Sequence, residues 1–270
     1  MNRHESNGTA IVTGASQGIG AVYARKLAER GHDVVLVARN KDRLEENAAR
    51  IRAATARQAE VVVADLSADA DVNRLADRLR SDPAISILVN NAGATLDGGL
   101  LANDSEALAR QLALNVVAPA LLAQAAAKAF IARRRGSIVN ISSVTAFVPE
   151  MFDGAYSGSK IFLLNLTLSL ASKAKDSGVR FQAVLPGPTN TDMWARGGVP
   201  ASVIPPERIM ESEDLVEAAL IGLDRGEIVT APTIADEAVW RAYEAARHAL
   251  GPHLAAGKAA PRYRATEPAL

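Results

Sequence analysis

The sequence predicts an α/β protein, a doubly wound parallel sheet of seven strands with helices on both faces. Short β-branched runs alternate with longer helical patterns along the chain, which is typical of successive βαβ units. Three of these runs, VVLVA, VVVA and ILV, are almost entirely apolar, as expected for strands covered on both faces. No linker or repeat interrupts the pattern, so we expect a single domain over residues 1–270.

The elements follow one another in a regular order. The predicted strands are Ala10–Thr13, Asp33–Ala38, Val61–Ala64, Ile85–Val89, Ser137–Ile141, Val179–Leu185 and Ile228–Thr230. The predicted helices are Gly18–Arg30, Lys41–Arg57, Asp69–Arg80, Ser105–Arg133, Gly154–Lys175, Ser212–Asp224 and Ile234–Leu250. Right-handed crossovers place them on both faces of the sheet. We expect tails at residues 1–8 and 251–270, and a long Gly- and Pro-rich loop at residues 186–210.

Composition excludes several classes of protein. Of 270 residues, 49% are hydrophobic and 22% charged, as in an average soluble protein. Thirty Lys and Arg balance thirty Asp and Glu, so no net basic field attracts nucleic acid or an anionic membrane. The absence of cysteine excludes disulfides and thiolate nucleophiles. The four histidines are scattered without ligand spacing, and no metal site is predicted.

Location and assembly are predicted from apolar segments. Residues 1–8 are polar and lack the apolar stretch of a secretory signal, so the cytoplasm is the expected location. The uncharged residues 111–127 are too short and too polar to span a bilayer. The helices at 105–133 and 154–175 are apolar on nearly every face and need cover on both sides. We therefore expect a homo-oligomer, a dimer or tetramer, built through these two helices.

A glycine-rich turn follows the first strand and leads directly into a helix. A strand end, a Gly-rich turn and a helix N-terminus together suit a pyrophosphate, because backbone N–H groups and the helix dipole point at it. The spacing is Gly-x-x-x-Gly-x-Gly, not the Gly-x-Gly-x-x-Gly of the long-chain dinucleotide enzymes. Taken alone, the turn could serve only for chain reversal. The candidate cofactor residues here are Gly14, Ser16, Gln17, Gly18, Ile19 and Gly20.

The end of the second strand indicates which dinucleotide binds. NAD-specific sites place an acid there for the ribose 2′-OH, whereas this chain has Arg39 and Asn40. Asp33 lies at the other end of that strand, about 16 Å away. A guanidinium without a carboxylate favours a 2′-phosphate, so NADP(H) is predicted, with NAD(H) as the alternative. Arg39 could instead be a solvated loop cation.

Two further strand ends complete a crevice. Asp65 and Leu66 follow the third strand and are candidates for holding the adenine. The fourth strand is followed by Asn90 and the candidates Asn91, Ala92 and Gly93, which are placed to line the ribose site. In open α/β sheets, ligands bind at the carboxyl ends of the strands, where all these segments lie.

The candidate catalytic residues begin with Tyr156 and Lys160. Four residues apart at the start of a predicted helix, they emerge on one face, and the Lys ammonium is expected to bring the phenol pKa closer to neutrality. Ser143, at the end of a strand, is placed to hydrogen-bond a substrate oxygen. Ser142 competes with it, since strand alternation lets only one face the cofactor. Asn115 is a polar residue in an apolar helix, near a kink expected from Pro119.

In this order, the residues resemble the short-chain dehydrogenase/reductase family over about Thr9 to Met193, more loosely to Thr230. The resemblance implies a Rossmann fold, with Asn115, Ser143, Tyr156 and Lys160 matching the catalytic tetrad. It also implies a segment that binds the nicotinamide carboxamide, with candidates Pro186, Gly187, Thr189 and Thr191, and cofactor contacts from Tyr156 and Lys160. Many NADPH-dependent relatives have a basic residue where this chain has Gln17.

The function implied is hydride transfer between a nicotinamide and a carbonyl or secondary alcohol, most plausibly reduction of a hydrophobic ketone or 3-oxoacyl compound. An apolar lining is predicted from Val144–Phe152 and the 186–210 loop, including Met193, Trp194 and Met210, with Arg196 near the mouth. The same side chains could instead only close the loop against the core. The alternative function is a non-catalytic NADP-binding regulatory or scaffold protein on the same fold. The nucleotide-sugar dehydratases and epimerases of the family are longer and have an extra substrate domain, so their chemistry is not expected of this chain.

Overall fold

The computed structural model describes residues 6–191 and 204–263. Two compact units divide the chain, Met1–Pro232 and Thr233–Leu270. The strands are β1 (Thr9–Thr13), β2 (Asp33–Ala38), β3 (Ala59–Val63), β4 (Ile85–Asn90), β5 (Gly136–Ile141), β6 (Val179–Val184) and β7 (Val229–Thr230). The helices of the first unit are α1 (Gly18–Glu29), α2 (Lys41–Thr55), α3 (Asp69–Ser81), α4 (Ser105–Leu112), α5 (Ala118–Arg133), α6 (Gly154–Lys173) and α7 (Ser212–Arg225). The second unit contains α8 (Glu237–Ala249).

The seven strands form one parallel sheet in the order β3-β2-β1-β4-β5-β6-β7. The chain runs outward from β1 to β3 and then returns to place β4 on the other side of β1. This reversal opens a crevice at the carboxyl ends of β1 and β4, where open α/β sheets bind their ligands. The predicted fold class, a doubly wound seven-stranded parallel sheet, is confirmed.

The core lies on both faces of the sheet because neighbouring side chains of a strand point to opposite sides. In β1, Ala10 and Val12 belong to a cluster that α1, α2 and α7 cover. Ile11, between them, belongs to a second cluster covered by α3 and α5. All three are fully buried. Of the three runs predicted to be covered on both faces, those in β2 and β4 are buried, whereas β3 lies at the sheet edge and leaves Val63 45% exposed.

The predicted helix at 105–133 is interrupted. Residues Ala113–Val117 form a π-helical turn between α4 and α5. Such a turn adds one residue to the helical repeat and is frequent at functional sites. By length and composition, the whole stretch would also pass as a membrane span, but half of its apolar window is buried inside the protein. The packing of α5 against α3, β4 and β5 is that of a core helix.

The other elements differ from prediction only at their ends. β3 begins at Ala59, two residues before the predicted Val61, because Val34 of β2 pairs with it. The last helix begins at Glu237, where Asp236 caps it, instead of at Ile234. The single domain over residues 1–270 and the cytoplasmic location stay predictions. Within the described ranges, no group of three or more His, Asp or Glu side chains is arranged to hold a metal ion.

Candidate active site

The glycine-rich turn connects β1 to α1 and rests on the end of β2. The backbone N–H groups of Gly14 and Ala15 both donate to the carbonyl of Val37, at 2.8 and 3.3 Å. A Cβ on Gly20, at the start of α1, would lie 2.4 Å from the Gly14 carbonyl oxygen. Only glycine therefore lets the helix approach the turn this closely, as the sequence predicted.

Gly18 faces the opposite wall of the crevice. Its φ of +54° lies in the left-handed region, and a Cβ there would lie 3.2 Å from the Thr191 side-chain methyl. The N-terminus of α1 and the predicted nicotinamide segment thus approach each other across a gap that a side chain would partly fill. Ser16, Gln17 and Ile19 are half-buried along the same turn.

The segment after β4 is joined to the turn by Asn91 and Thr13. Asn91 donates from its side chain to the carbonyls of Thr13 and Gly14, at 2.9 and 3.3 Å. The Thr13 hydroxyl accepts from the backbone N–H groups of Asn91 and Ala92 and donates to the Val89 carbonyl. The Asn91 side chain and the Ala92 backbone therefore hold one side of the turn in place.

The ends of β2 and β3 lie side by side. Arg39 is exposed, and its charge contributes to holding the pKa of Asp65 below its usual range. The larger contributions to that pKa come from two hydrogen bonds that Ser67 donates to the Asp65 carboxylate. Leu66 is buried behind them. The Asp65 carboxylate is thus ionised and pinned in place, and Arg39 is the neighbouring cation.

Ser143 and Tyr156 meet at the ends of β5 and α6. Burial raises the pKa of Tyr156, and the neighbouring Ser143 side chain acts against it, which places the Ser143 hydroxyl next to the phenol. Ser142 points away from this pair, because its hydroxyl donates to the Lys160 carbonyl at 2.6 Å. The geometry therefore separates the two serines and places Ser143 beside the phenol.

Lys160 lies one turn further along α6 and is almost fully buried. Its ammonium donates to the Ile141 carbonyl at 3.0 Å and lies 5.4 Å from the centre of the Tyr156 ring. An ammonium has three donors, and this carbonyl is its one acceptor among the described residues. A Cβ on Gly93 would lie 3.5 Å from the Lys160 ammonium, so the crevice reaches it.

Burial decides the pKa values of this pair. Although part of the Tyr156 ring is accessible, the surrounding protein atoms raise the phenol pKa to about 12, against the lowering by Ser143. Burial also lowers the pKa of Lys160 to about 8. The sequence argument predicted a phenol pKa closer to neutrality. In the structure, desolvation of the phenolate outweighs the lowering effect of the Ser143 side chain.

Asn115 lies in the π-helical turn and is buried. Its side chain accepts from the Ala94 backbone N–H at 2.9 Å and donates to the Ala94 carbonyl at 2.8 Å. It also donates to the Ser159 hydroxyl at 3.3 Å. Asn115 therefore joins the segment after β4 to α6, and a Cβ on Gly93 would lie 3.4 Å from its side-chain oxygen.

The predicted nicotinamide segment follows β6 and contacts the catalytic strand end. The buried Pro186 accepts from the Val144 N–H at 3.0 Å, directly after Ser143. Thr189 is buried, and its hydroxyl donates to the Gly187 carbonyl at 3.0 Å. Residues 192–203 lie outside the described residues. The predicted lining residues Met193 and Trp194, and Arg196 at the predicted mouth, fall there.

The remaining predicted lining residues divide into two groups. Phe147 and Met210 are partly buried and pack against the core. Met151 and Phe152 are exposed, as are Leu100 and Leu101 on the neighbouring segment. The exposed apolar side chains at 100–101 and 151–152, on either side of the Leu100–Asp153 contact, form an apolar rim near the start of α6.

Three contributors to the site were not predicted. Asp153 caps α6, and its carboxylate accepts from the N–H groups of Tyr156 and Leu100, at 2.9 and 2.6 Å. Asn47 of α2 donates to the carbonyls of Ala15 and Ser16, both at 3.1 Å. Arg43 of α2 donates to the Gln17 side chain. An acid three residues before Tyr156 is an N-cap signal, whereas the other two contacts depend on how α2 packs.

Comparison with known proteins now decides the family. The family model described as short chain dehydrogenase matches residues 8–198. The chain belongs to the short-chain dehydrogenase/reductase family. It is an NAD(P)-dependent oxidoreductase, and the predicted family and enzyme class are confirmed.

Relatives and solved structures cover nearly the whole length. A short-chain dehydrogenase from Sphingobium yanoikuyae, solved in complex with NADPH, is 43% identical with a TM-score of 0.91, covering 95% of this chain and all of that one. A bulky-bulky ketone specific alcohol dehydrogenase from Comamonas testosteroni is 39% identical with a TM-score of 0.87, covering 96% and 99% of the two chains. Carbonyl reductase family member 4 of Danio rerio is 32% identical over 218 residues, 80% of this chain and 90% of that protein.

The crevice of this short-chain dehydrogenase fits a nicotinamide dinucleotide. The gap at Gly18 and the close approach of α1 at Gly20 leave backbone room for a pyrophosphate at a helix N-terminus. The ammonium of Lys160, with one protein acceptor among the described residues, suits ribose hydroxyls. Segments that are far apart in the sequence therefore approach one another here, Gly18 toward Thr191 and Gly93 toward Lys160.

Proposed function

We propose that this protein is an NADP(H)-dependent reductase of hydrophobic ketones or 3-oxoacyl compounds. The observation that carries the proposal is the placement of the Ser143 side chain next to the Tyr156 phenol, with the ammonium of Lys160 beside the ring. This arrangement gives a carbonyl oxygen two hydroxyl partners at the edge of the crevice.

Each catalytic residue has a separate task in the reducing direction. Ser143 donates a hydrogen bond to the substrate carbonyl and stabilises the charge that develops on its oxygen. Tyr156 gives its proton to that oxygen as the alcohol forms. The bound cofactor supplies the hydride that goes to the carbonyl carbon. Lys160 holds the nicotinamide ribose and stabilises the resulting phenolate, and Asn115 holds a water that returns a proton from solvent.

The choice of NADP(H) has two supports. An exposed Arg39, and no carboxylate, follows β2, where the adenosine ribose is expected. The similar dehydrogenase from Sphingobium yanoikuyae was solved with NADPH. For the other predicted cofactor residues, from Gly14 in the turn to Thr191 in the nicotinamide segment, we propose the same contacts with the cofactor that the sequence predicted.

The substrate class rests on the rim of the cleft. Leu101 is fully exposed and Met151 is 74% exposed, and exposed apolar side chains grouped in one patch are typical of a ligand or partner site. The similar alcohol dehydrogenase from Comamonas testosteroni is described as specific for bulky-bulky ketones. Apolar substituents on both sides of a carbonyl would cover this rim.

A substrate panel tests the proposal directly. Oxidation of NADPH is followed by its absorbance with diaryl ketones, small ketones, aldehydes and 3-oxoacyl thioesters. Tyr156→Phe is expected to abolish turnover and keep NADPH affinity, because it removes only the proton donor. Tyr23→Phe is the matched control, since the buried Tyr23 hydroxyl has no hydrogen-bond partner among the described residues. Equal activity in Tyr156→Phe and wild type would contradict the mechanism, and silence across the panel with NADPH bound would favour the non-catalytic alternative.

We also propose that the protein acts as a homo-oligomer through α4, α5 and α6. Val117 and Leu121, one helical turn apart, are 44% and 39% exposed, and Phe162 of α6 is 36% exposed. Large apolar side chains on neighbouring helices are expected to be covered by a second copy of the chain.

A further inference from the structure

We propose that Arg43 determines cofactor specificity, by binding the 2′-phosphate of NADP(H) together with Arg39. The inference rests on the proposed function, because it takes NADP(H) as the cofactor. The sequence had assigned Arg39 as the only cation for this phosphate, with Ser16 and Asn40 as helpers. Gln17 occupies the turn position where many NADPH-dependent relatives have a second basic residue. The structure supplies that second cation from α2.

The side chain of Arg43 crosses the crevice from α2 to the glycine-rich turn. Its backbone N–H is held by the Asn40 side chain at 3.0 Å, in the first turn of α2. Its guanidinium donates to the side-chain oxygen of Gln17. The charge is therefore held beside the phosphate turn, four residues after Arg39.

The width of this crevice is fixed by other contacts. Asn47, one turn further along α2, donates to the Ala15 and Ser16 carbonyls. On the strand side, the Gly14 and Ala15 N–H groups donate to the Val37 carbonyl. The turn and the start of α2 are thus held at a set separation, and Arg43 lies between them.

The local charges favour a second cation. Arg39 lies in the field of the Asp65 carboxylate, which its charge helps to keep ionised. A phosphate monoester carries about −1.5 to −2 charges at pH 7. Arg39 alone, close to an acid, offsets this charge poorly. The neighbouring exposed Lys41 and Asp42 are of opposite sign and cancel each other.

Gln17 acts as the anchor for Arg43. A guanidinium has five N–H donors in a planar fork, so it can keep the Gln17 amide and hold a phosphate oxygen at the same time. A neutral amide orients the guanidinium without neutralising it. Gln17 therefore takes part in cofactor choice although it carries no charge.

Equilibrium binding of NADPH and NADH, measured by nucleotide fluorescence, tests the assignment. Arg43→Ala is expected to weaken NADPH binding about tenfold, the size of one hydrogen bond to a charged group, with NADH changed by less than about twofold. Arg43→Lys keeps the charge without the planar fork, so its NADPH affinity is expected to lie between those of wild type and Arg43→Ala. Arg50→Ala is the matched control, because Arg50 is exposed on the same helix and paired with Glu46. It should change neither affinity.

The outcomes separate this inference from the function on which it rests. If Arg39→Ala weakens NADPH selectively while Arg43→Ala changes both nucleotides equally or neither, Arg43 does not contact the 2′-phosphate and the inference is wrong. If wild type binds NADH as tightly as NADPH, the choice of NADP(H) itself fails. Thermal melting of each variant distinguishes lost contacts from lost folding.

Discussion

The carboxylate of Asp153 accepts the backbone N–H of Tyr156 at 2.9 Å and, with its other oxygen, the N–H of Leu100 at 2.6 Å. One side chain thus joins the helix that carries the candidate proton donor to the segment that carries the apolar rim. On Gly99, next to this contact, a Cβ would lie 3.1 Å from the same carboxylate. Asp153 is a positioning residue in this arrangement, since it acts through Tyr156 and Leu100.

Asp153→Ala is expected to lower the stability by about 1 kcal/mol, the usual cost of a lost N-cap. It should also lower kcat/KM for ketone reduction by about tenfold, corresponding to about 1.4 kcal/mol of transition-state stabilisation. Asp153→Ser keeps one acceptor for the cap but cannot hold Leu100 as well. Chemical denaturation and steady-state kinetics of the two variants measure both effects.

Comparing the Asp153→Ala and Asp153→Ser variants shows whether Asp153 contributes to turnover beyond capping α6. We expect Asp153→Ser to regain stability but not kcat/KM. Asp236→Ala, which removes the cap of α8, should cost similar stability with unchanged kinetics. Full recovery of kcat/KM in Asp153→Ser would show that the bond to Leu100 has no role in turnover.

Lys160 is expected to destabilise the protein at neutral pH. Burial lowers its pKa from 10.5 to about 8, so the protonated ammonium is less stable in the folded protein than in the unfolded chain. Below pH 8 both states are protonated and the full penalty is present. Between pH 8 and 10.5 the unfolded chain binds more protons, so the stability contribution of Lys160 rises with pH.

Lys160→Met should therefore be more stable than wild type at pH 7, by about 1 to 3 kcal/mol after allowing for the lost bond to Ile141. The difference is expected to shrink as the pH approaches 10.5. Urea denaturation at both pH values measures it, while turnover is lost at either. Lys128→Met, at an exposed position of α5, should change stability by less than about 0.5 kcal/mol. A less stable Lys160→Met at pH 7 would be evidence against this penalty.

Sequence alone predicted the sheet and the location of the site, since both follow from local patterns. The apolar run at Val34–Ala38 is a buried strand as predicted, and parallel strands bring their carboxyl ends to one edge. The run at Val61–Ala64 is also a strand, but as the sheet edge it leaves Val63 45% exposed, which its composition did not show. Tyr156 and Lys160 needed only helical spacing to share a face. These inferences needed only the geometry of one helical turn or one strand.

The missed features depend on how distant segments pack. The π-helical turn at Ala113–Val117 leaves no mark in composition, because it changes only the hydrogen-bond pattern. Arg43 reaches Gln17 only through the separation of α2 and the turn. The pKa of Tyr156 was predicted in the wrong direction because the nearby Lys160 charge is visible in the sequence, whereas burial is not.

Gly18→Ala tests the cofactor crevice separately from catalysis. A residue with a side chain at φ +54° costs about 1 kcal/mol, and the new Cβ would extend toward Thr191. We expect NADPH affinity to fall together with this stability. Gly226→Ala is the control, because its φ is +77° and nothing lies within 4 Å of the new Cβ. Equal NADPH affinity in the two variants, measured by fluorescence, would show that the gap at Gly18 does not hold the nucleotide.

The apolar surface of α5 predicts how the protein assembles. Leu121→Glu places a charge beside Val117 on the proposed interface and is expected to lower the mass measured by light scattering from a multiple of 28.4 kDa toward that of one chain. Val63→Glu introduces the same charge at an exposed position of the edge strand β3, outside this surface, and should leave the mass unchanged. A wild-type protein that is monomeric at micromolar concentration would refute the assembly. Its exposed Val117 and Leu121 would then need another partner, because apolar side chains left in water on adjacent turns favour association.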